Sequence, residues 1–154
     1  MISLRTKIYR LVEPISDEDA AGRMFTIFII TVIITNCIVM FLETFSSLYE
    51  SASVFFNTFE LISVIIFTVE YVLRVWSCVS SPELKYRKPV LGRLRYILQP
   101  MMIIDLLAVL PFYIVTLGID LRSIRILRVF RVFRIMKFGR YSNSLEMLIN
   151  IRFY

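Results

Sequence analysis

Histidine is absent from this 154-residue sequence, cysteine occurs twice and glycine four times. Without imidazole there is no histidine metal site, no Ser-His triad and no ordinary pH switch near neutrality. Two cysteines cannot build a disulfide framework or a zinc ribbon. Cys37 sits midway along one apolar run and Cys78 near the end of another, so two free thiols at different depths are expected. None of the glycines falls in a phosphate-cradling pattern, which argues against a nucleotide site. The expectation is no metal, no cofactor and no enzymatic activity. The first residues carry Arg5, Lys7 and Arg10 with no short apolar run and cleavage site, so no signal peptide is expected.

What the sequence does have is apolar surface. Hydrophobic residues make up 58% and mean hydropathy is +0.73, above the roughly 45–50% apolar content of globular chains. The excess points to a membrane protein. The net charge of +6 also has one address. Seven cations lie between residues 122 and 140, and the other 11 are nearly matched by 12 acids.

Four membrane spans are expected, at about 24–45, 54–78, 96–117 and 121–141. Residues 24–42 are nineteen in a row without a charge, about 28 Å of helix against a hydrocarbon core of about 30 Å. The second run is interrupted by Glu60, Glu70 and Arg74, the third only by Asp105, and Pro111 within it should kink or break the helix. The short link Gly118-Ile119-Asp120 predicts a tight hairpin between the third and fourth spans. Arg and Lys crowd the segment before the first span and the loop between the second and third, while the first loop has none. By the positive-inside rule the protein is a multi-pass cell-membrane protein with both termini cytoplasmic. Residues 1–20 form a cytoplasmic segment in which 2–12 read either as an interfacial amphipathic helix or as a solvated terminus. Ser16 followed by three acids resembles a helix N-cap.

The fourth span is the unusual one. Arg122, Arg125, Arg128, Arg131, Arg134, Lys137 and Arg140 recur at every third place, and every residue between them from 124 to 138 is apolar. An arginine near the bilayer centre costs at least ~2.5 kcal/mol, so each needs a counter-charge or water. On an α-helix a step of three advances about 4.5 Å and rotates about 60°; on a 3₁₀ helix it advances about 6 Å in one row. Such a ladder suits a rod that moves by rungs past fixed partners. A basic helix can also bind nucleic acid or anionic lipid, but those uses favour cations clustered on one face beside neutral polar residues. No nucleic acid is expected; for a helix embedded among other spans the partners are membrane lipids, whose anionic phosphates the outer cations would reach.

Acids in the other spans supply the counter-charges: Glu43, Glu60, Glu70 and Asp105. On a helical wheel Phe67, Glu70 and Arg74 fall within about 80° of Glu60, on one face. From the orientation, Glu43 and Glu60 lie at outer depth, Glu70 and Asp105 at inner depth, with Phe67 between the tiers. Taken singly these could be helix-end charges and plain core, and for Glu43 that reading stays open; Glu60, Phe67, Glu70 and Asp105 together match the ladder too well to be accidental.

On these residues the chain resembles the voltage-sensor domain of voltage-gated potassium channels, most closely prokaryotic ones. The matching strings are FLET, E-x6-F-x2-E-x3-R, IIDLLAVLPFY and RILRVFRVFRIMKFGR. The resemblance implies an all-α membrane protein, an antiparallel four-helix transmembrane bundle over 21–141. It implies that Arg125, Arg128, Arg131 and Arg134 are the main gating charges, with Lys137 and Arg140 inside them and Arg122 one rung further out. It also makes Glu60 the outer anionic site, and Phe67, Glu70 and Asp105 an occluded charge-transfer centre. Without an applied field, Lys137 should lie near Glu70 and Asp105. Residues 142–154 would begin the linker to a tetrameric pore domain, since no carbonyl-lined filter is present. Voltage-gated proton channels share the plan but carry an Asp where this chain has Asn36, so proton conduction is the alternative. A voltage-sensing phosphatase would need a catalytic domain, and no C-x5-R motif follows.

Overall fold

An uninterrupted apolar stretch satisfies its backbone best by coiling, because lipid offers no hydrogen bonds. The computed structural model describes residues 4–13, 20–83, 86, 88, 90–118 and 132–150, those at 47–49 and 142–150 by backbone alone. Among these the chain is helical throughout: α1 (Leu4–Val12), α2 (Ala20–Leu42), α3 (Ser46–Ser77) with a 3₁₀ turn at Cys78–Ser80, α4 (Leu91–Ile97), α5 (Pro100–Thr116) and α6 (Phe133–Asn150). The helices α2 and α3 are long and apolar enough to cross a membrane, and α4 with α5 forms a third candidate span bent by 71°.

Several boundaries differ from expectation. The first span starts earlier and stops at Leu42, and the second starts at Ser46 with a kink at Ala52. The third does not break at Pro111, which sits inside a continuous α5. Its break falls at Leu98–Gln99 instead, because Gln99 precedes Pro100 and is held extended at ψ 142°, as steric clash with a following proline requires. Pro100 then opens α5, where its missing N–H costs nothing. Gly118 ends α5 at φ 75°, the left-handed turn expected of the hairpin link. Ile119 and Asp120, the Ser16 cap, and Arg122, Arg125, Arg128 and Arg131 lie outside the described residues. At the other end of the ladder, α6 runs through Gly139 and past residue 141 without interruption, and no proline follows within it.

The helices pack as a ring: α2 on α3, α3 on α5, α5 on α6, and α6 back on α2. Its polarity is inverted relative to a soluble protein. Thr26, Asn36, Ser63, Glu70, Arg74, Asp105, Arg134 and Lys137 are buried, whereas Met24, Phe28, Phe41, Val54, Phe55 and Val69 stand exposed. Outward apolar side chains fit lipid tails. Hydroxyls on the helices turn back to their own carbonyls, as Thr31 does to Ile27 at 2.9 Å and Thr35 to Thr31 at 2.8 Å. Inside, Ile29, Ile33, Val64, Phe67 and Val109 form the main apolar core, and Cys78, Tyr86, Tyr96 and Met102 a second. Gly92 lies directly against the Tyr86 carbonyl, with no room for a Cβ. Cys37 and Cys78 are both free thiols.

The first helix is docked onto the others. It packs on α2 and α3, burying Tyr9 and Val12, with the Arg5 guanidinium 5.3 Å from the Trp76 ring. The Tyr9 hydroxyl donates to Ser81 Oγ at 3.3 Å, and burial pushes that phenol up from 10.0 to about 12. The folded state therefore favours the neutral phenol. Its contribution is intact below the ordinary tyrosine value and is lost as pH rises through about 12. Hydrogen exchange over 4–12 should accelerate between pH 10 and 12 by more than the intrinsic rate does, and Tyr9→Phe should abolish the excess.

Candidate functional site

Spacing along α3 sets the site. Glu60, Ser63, Phe67, Glu70, Arg74 and Ser77 recur at alternating steps of three and four, so one face of the helix carries them all inward. On α5 the inward positions are Met102, Asp105, Ala108 and Val109, and on α6 they are Arg134, Lys137 and Tyr141. The three faces meet in a column of charges divided by one aromatic ring.

Above the ring is Arg134. Its Nη2 donates to Glu60 Oε1 at 3.3 Å, its Nη1 to Asn36 Oδ1 at 3.3 Å and its Nε to the Ala108 carbonyl at 3.2 Å. Three helices thus share one guanidinium. Asn36 is fixed in turn by donating to Ser63 Oγ at 3.0 Å and to the Val32 carbonyl at 2.8 Å. A cleft lined by Cys37, Met40, Glu43, Phe59 and Glu60 leads down to Arg134.

The ring itself is Phe67, completely buried. Lys137 Nζ lies 4.2 Å from its centroid, within range of a cation–π attraction. The same Nζ donates to Glu70 Oε2 at 2.9 Å and sits 3.4 Å from Asp105 Oδ1. Lys137 is as buried as the carboxylates it faces, a position no lone ammonium could hold. Below it, Arg140 Nη1 donates to Asp105 Oδ2 at 2.6 Å.

Glu70 divides its oxygens. Oε2 takes the ladder lysine, while Oε1 accepts from Arg74 Nε at 3.2 Å and Nη2 at 3.0 Å, and also from the Tyr141 hydroxyl. Arg74 Nη2 reaches Tyr141 Oη at 2.6 Å, and Arg74 Nη1 lies 4.0 Å from Glu13 Oε1. Tyr96 donates to the same Glu13 oxygen at 3.3 Å. Lys137, Arg140 and Arg74 are thereby set against Glu70, Asp105 and Glu13, three charges of each sign. Balance of this kind is what makes buried ions tolerable.

Of the residues singled out in the sequence, the structure brings Glu60, Phe67, Glu70, Asp105, Arg134, Lys137 and Arg140 into this column. Glu43 lines the cleft that reaches Arg134. Asn36, Ser63, the Ala108 carbonyl, Tyr141 and Glu13 were not anticipated as partners. Two left a trace in the sequence: Asn36 is a polar residue in mid-span, and Tyr141 lies four places after Lys137, hence on the same helix face.

A polytopic helical protein with charge buried between its spans is the setting for moving ions or charge across a membrane. The family model described as "Ion transport protein" matches residues 22–153, and the chain belongs to that family, which points to an ion channel rather than an enzyme. A Rhodopseudomonas palustris protein named "Putative potassium channel protein" is 25% identical over 147 residues, covering 96% of this chain and 35% of its own length. The chain therefore spans about a third of that relative.

Proposed function

We propose that residues 21–141 are the voltage-sensing module of a voltage-gated potassium channel, with the cationic fourth helix as the moving part. The observation that carries this reading is Lys137, held by Glu70 and Asp105 against Phe67 while Arg134 and Arg140 occupy acidic sites on either side. Successive rungs already sit in equivalent partner sites, so a shift by one rung exchanges cations without baring a charge. Arg122, Arg125, Arg128 and Arg131 continue the same spacing outward, and Arg125, Arg128, Arg131 and Arg134 are the main gating charges. The ring of α2, α3, α5 and α6 supports a four-helix transmembrane bundle, and the cations flanking the spans favour the cell membrane with both termini cytoplasmic. Its fourth helix would lead into a tetrameric pore domain, and lipid phosphates would meet the outer arginines.

Magnitudes suffice. A charge crossing the full field is worth ~2.3 kcal/mol per 100 mV. About three per sensor give ~7 kcal/mol, roughly five decades in the equilibrium. Stand-alone proton conduction is weaker as a reading, because Asn36 offers no ionisable group at its depth and its amide is engaged on both sides.

In the full-length protein, Arg128→Gln and Arg131→Gln should each remove gating charge and flatten the conductance–voltage curve. Unchanged steepness in both would count against their role. Voltage-dependent proton flux into liposomes containing this chain alone would favour the proton channel instead.

A further inference from the structure

The buried Tyr141 hydroxyl is not a charge and has no part in the ladder, yet it shares Glu70 Oε1 with Arg74. We propose that Tyr141 is a register lock: a positioning residue whose hydroxyl stabilises the one placement of the fourth helix in which Lys137 occupies the site beneath Phe67. The inference rests on the voltage-sensor reading and adds a state-selective contact to it.

Geometry and sequence together support this. Lys137 and Tyr141 lie one helical turn apart and engage opposite oxygens of the same carboxylate. A lysine uses Oε2; the fixed Arg74 and the phenol use Oε1. When the helix moves by a rung, whichever cation enters the site brings with it the residue four places on. For Lys137 that residue is Tyr141. For Arg134 it is Phe138, for Arg131 Ile135 and for Arg128 Val132, and the two outermost rungs are likewise followed by apolar residues. Only the Lys137 placement, among rungs from 122 to 137, offers Glu70 and Arg74 a hydroxyl. In every other one, Arg74 and Glu70 face a side chain that can neither donate nor accept. Tyr141 is otherwise well seated, 3% exposed and part of the main apolar core. Its guanidinium neighbour lies 5.6 Å from the ring centre, so removing the oxygen alone leaves the packing in place.

A hydrogen bond to a charged group is worth enough to shift the last step of the ladder about ten- to a hundred-fold. The test is the charge–voltage relation of the full-length protein, comparing wild type with Tyr141→Phe and Phe138→Tyr. Tyr141→Phe should move the final component of charge movement to more depolarised voltages with total charge unchanged. Phe138→Tyr supplies a hydroxyl to the preceding rung, and should shift the same component the same way by favouring the Arg134 placement. Phe138 is 37% exposed, so this variant remains informative if Tyr141→Phe fails to fold. Wild-type charge movement with no shift in either variant overturns the lock but leaves the sensor standing. No voltage-dependent charge movement in the wild type overturns both.

Discussion

Glu70→Gln should destabilise the folded protein by about 3–5 kcal/mol, the cost of breaking a buried ion pair from one side. The carboxylate is 1% exposed and is bonded to Lys137, Arg74 and Tyr141. An amide keeps the shape but removes the charge. Lys137 is then left with Asp105, which Arg140 already engages at 2.6 Å, and Arg74 with Glu13 at 4.0 Å. Unfolding in detergent, followed by circular dichroism against increasing denaturant, would show the loss as an earlier midpoint. Glu70→Asp keeps the charge with a shorter reach and should recover part of it. A midpoint for Glu70→Gln within experimental error of wild type would show that Lys137 and Arg74 do not depend on this carboxylate.

Phe67→Ala carries a comparable expected loss and a second consequence. Emptying the site of a fully buried phenyl ring costs about 3–5 kcal/mol, and the cation–π contact with Lys137 goes with it. The ring is also what stands between Arg134 at the foot of the outer cleft and Lys137 below. Its removal joins the two tiers through a void bordered by charged groups, where water is well accommodated. Vesicles containing the alanine variant should therefore leak protons or small cations under an applied potential. Phe67→Leu refills most of the volume, and should cost less than the alanine variant while keeping the seal. Leakage equal in the two variants, or in neither, would mean the barrier lies elsewhere in the column.

Much of this column was legible before any coordinates. The period of three in the fourth span and the common face of Glu60, Phe67, Glu70 and Arg74 are properties of spacing, and helical geometry converts spacing into direction. The pairing of Lys137 with Glu70 and Asp105 was implied by the resemblance to voltage sensors. Less accessible were the contacts of neutral groups. Asn36 stands out as polar in mid-span, but spacing does not say which groups it meets; Tyr141 is one aromatic among many, and the Ala108 carbonyl carries no side-chain signal at all. The break before Pro100 was overshadowed by Pro111, although a proline that follows an extended residue interrupts a helix more surely than one whose freed carbonyl a packed helix can tolerate.

By itself the sequence determined that apolar runs of membrane length alternate with charged connections, and that one run carries cations at every third place. These are local facts, fixed by the transfer energy of each side chain and the pitch of a helix. The tertiary structure alone decided that Arg134 reaches Asn36 and the Ala108 carbonyl beside Glu60, that Arg74 faces Glu13 and Tyr141 as well as Glu70, and that α1 docks on α2 and α3. Those choices depend on the relative height and rotation of separate helices, set by packing and charge balance among residues up to 98 positions apart in the chain.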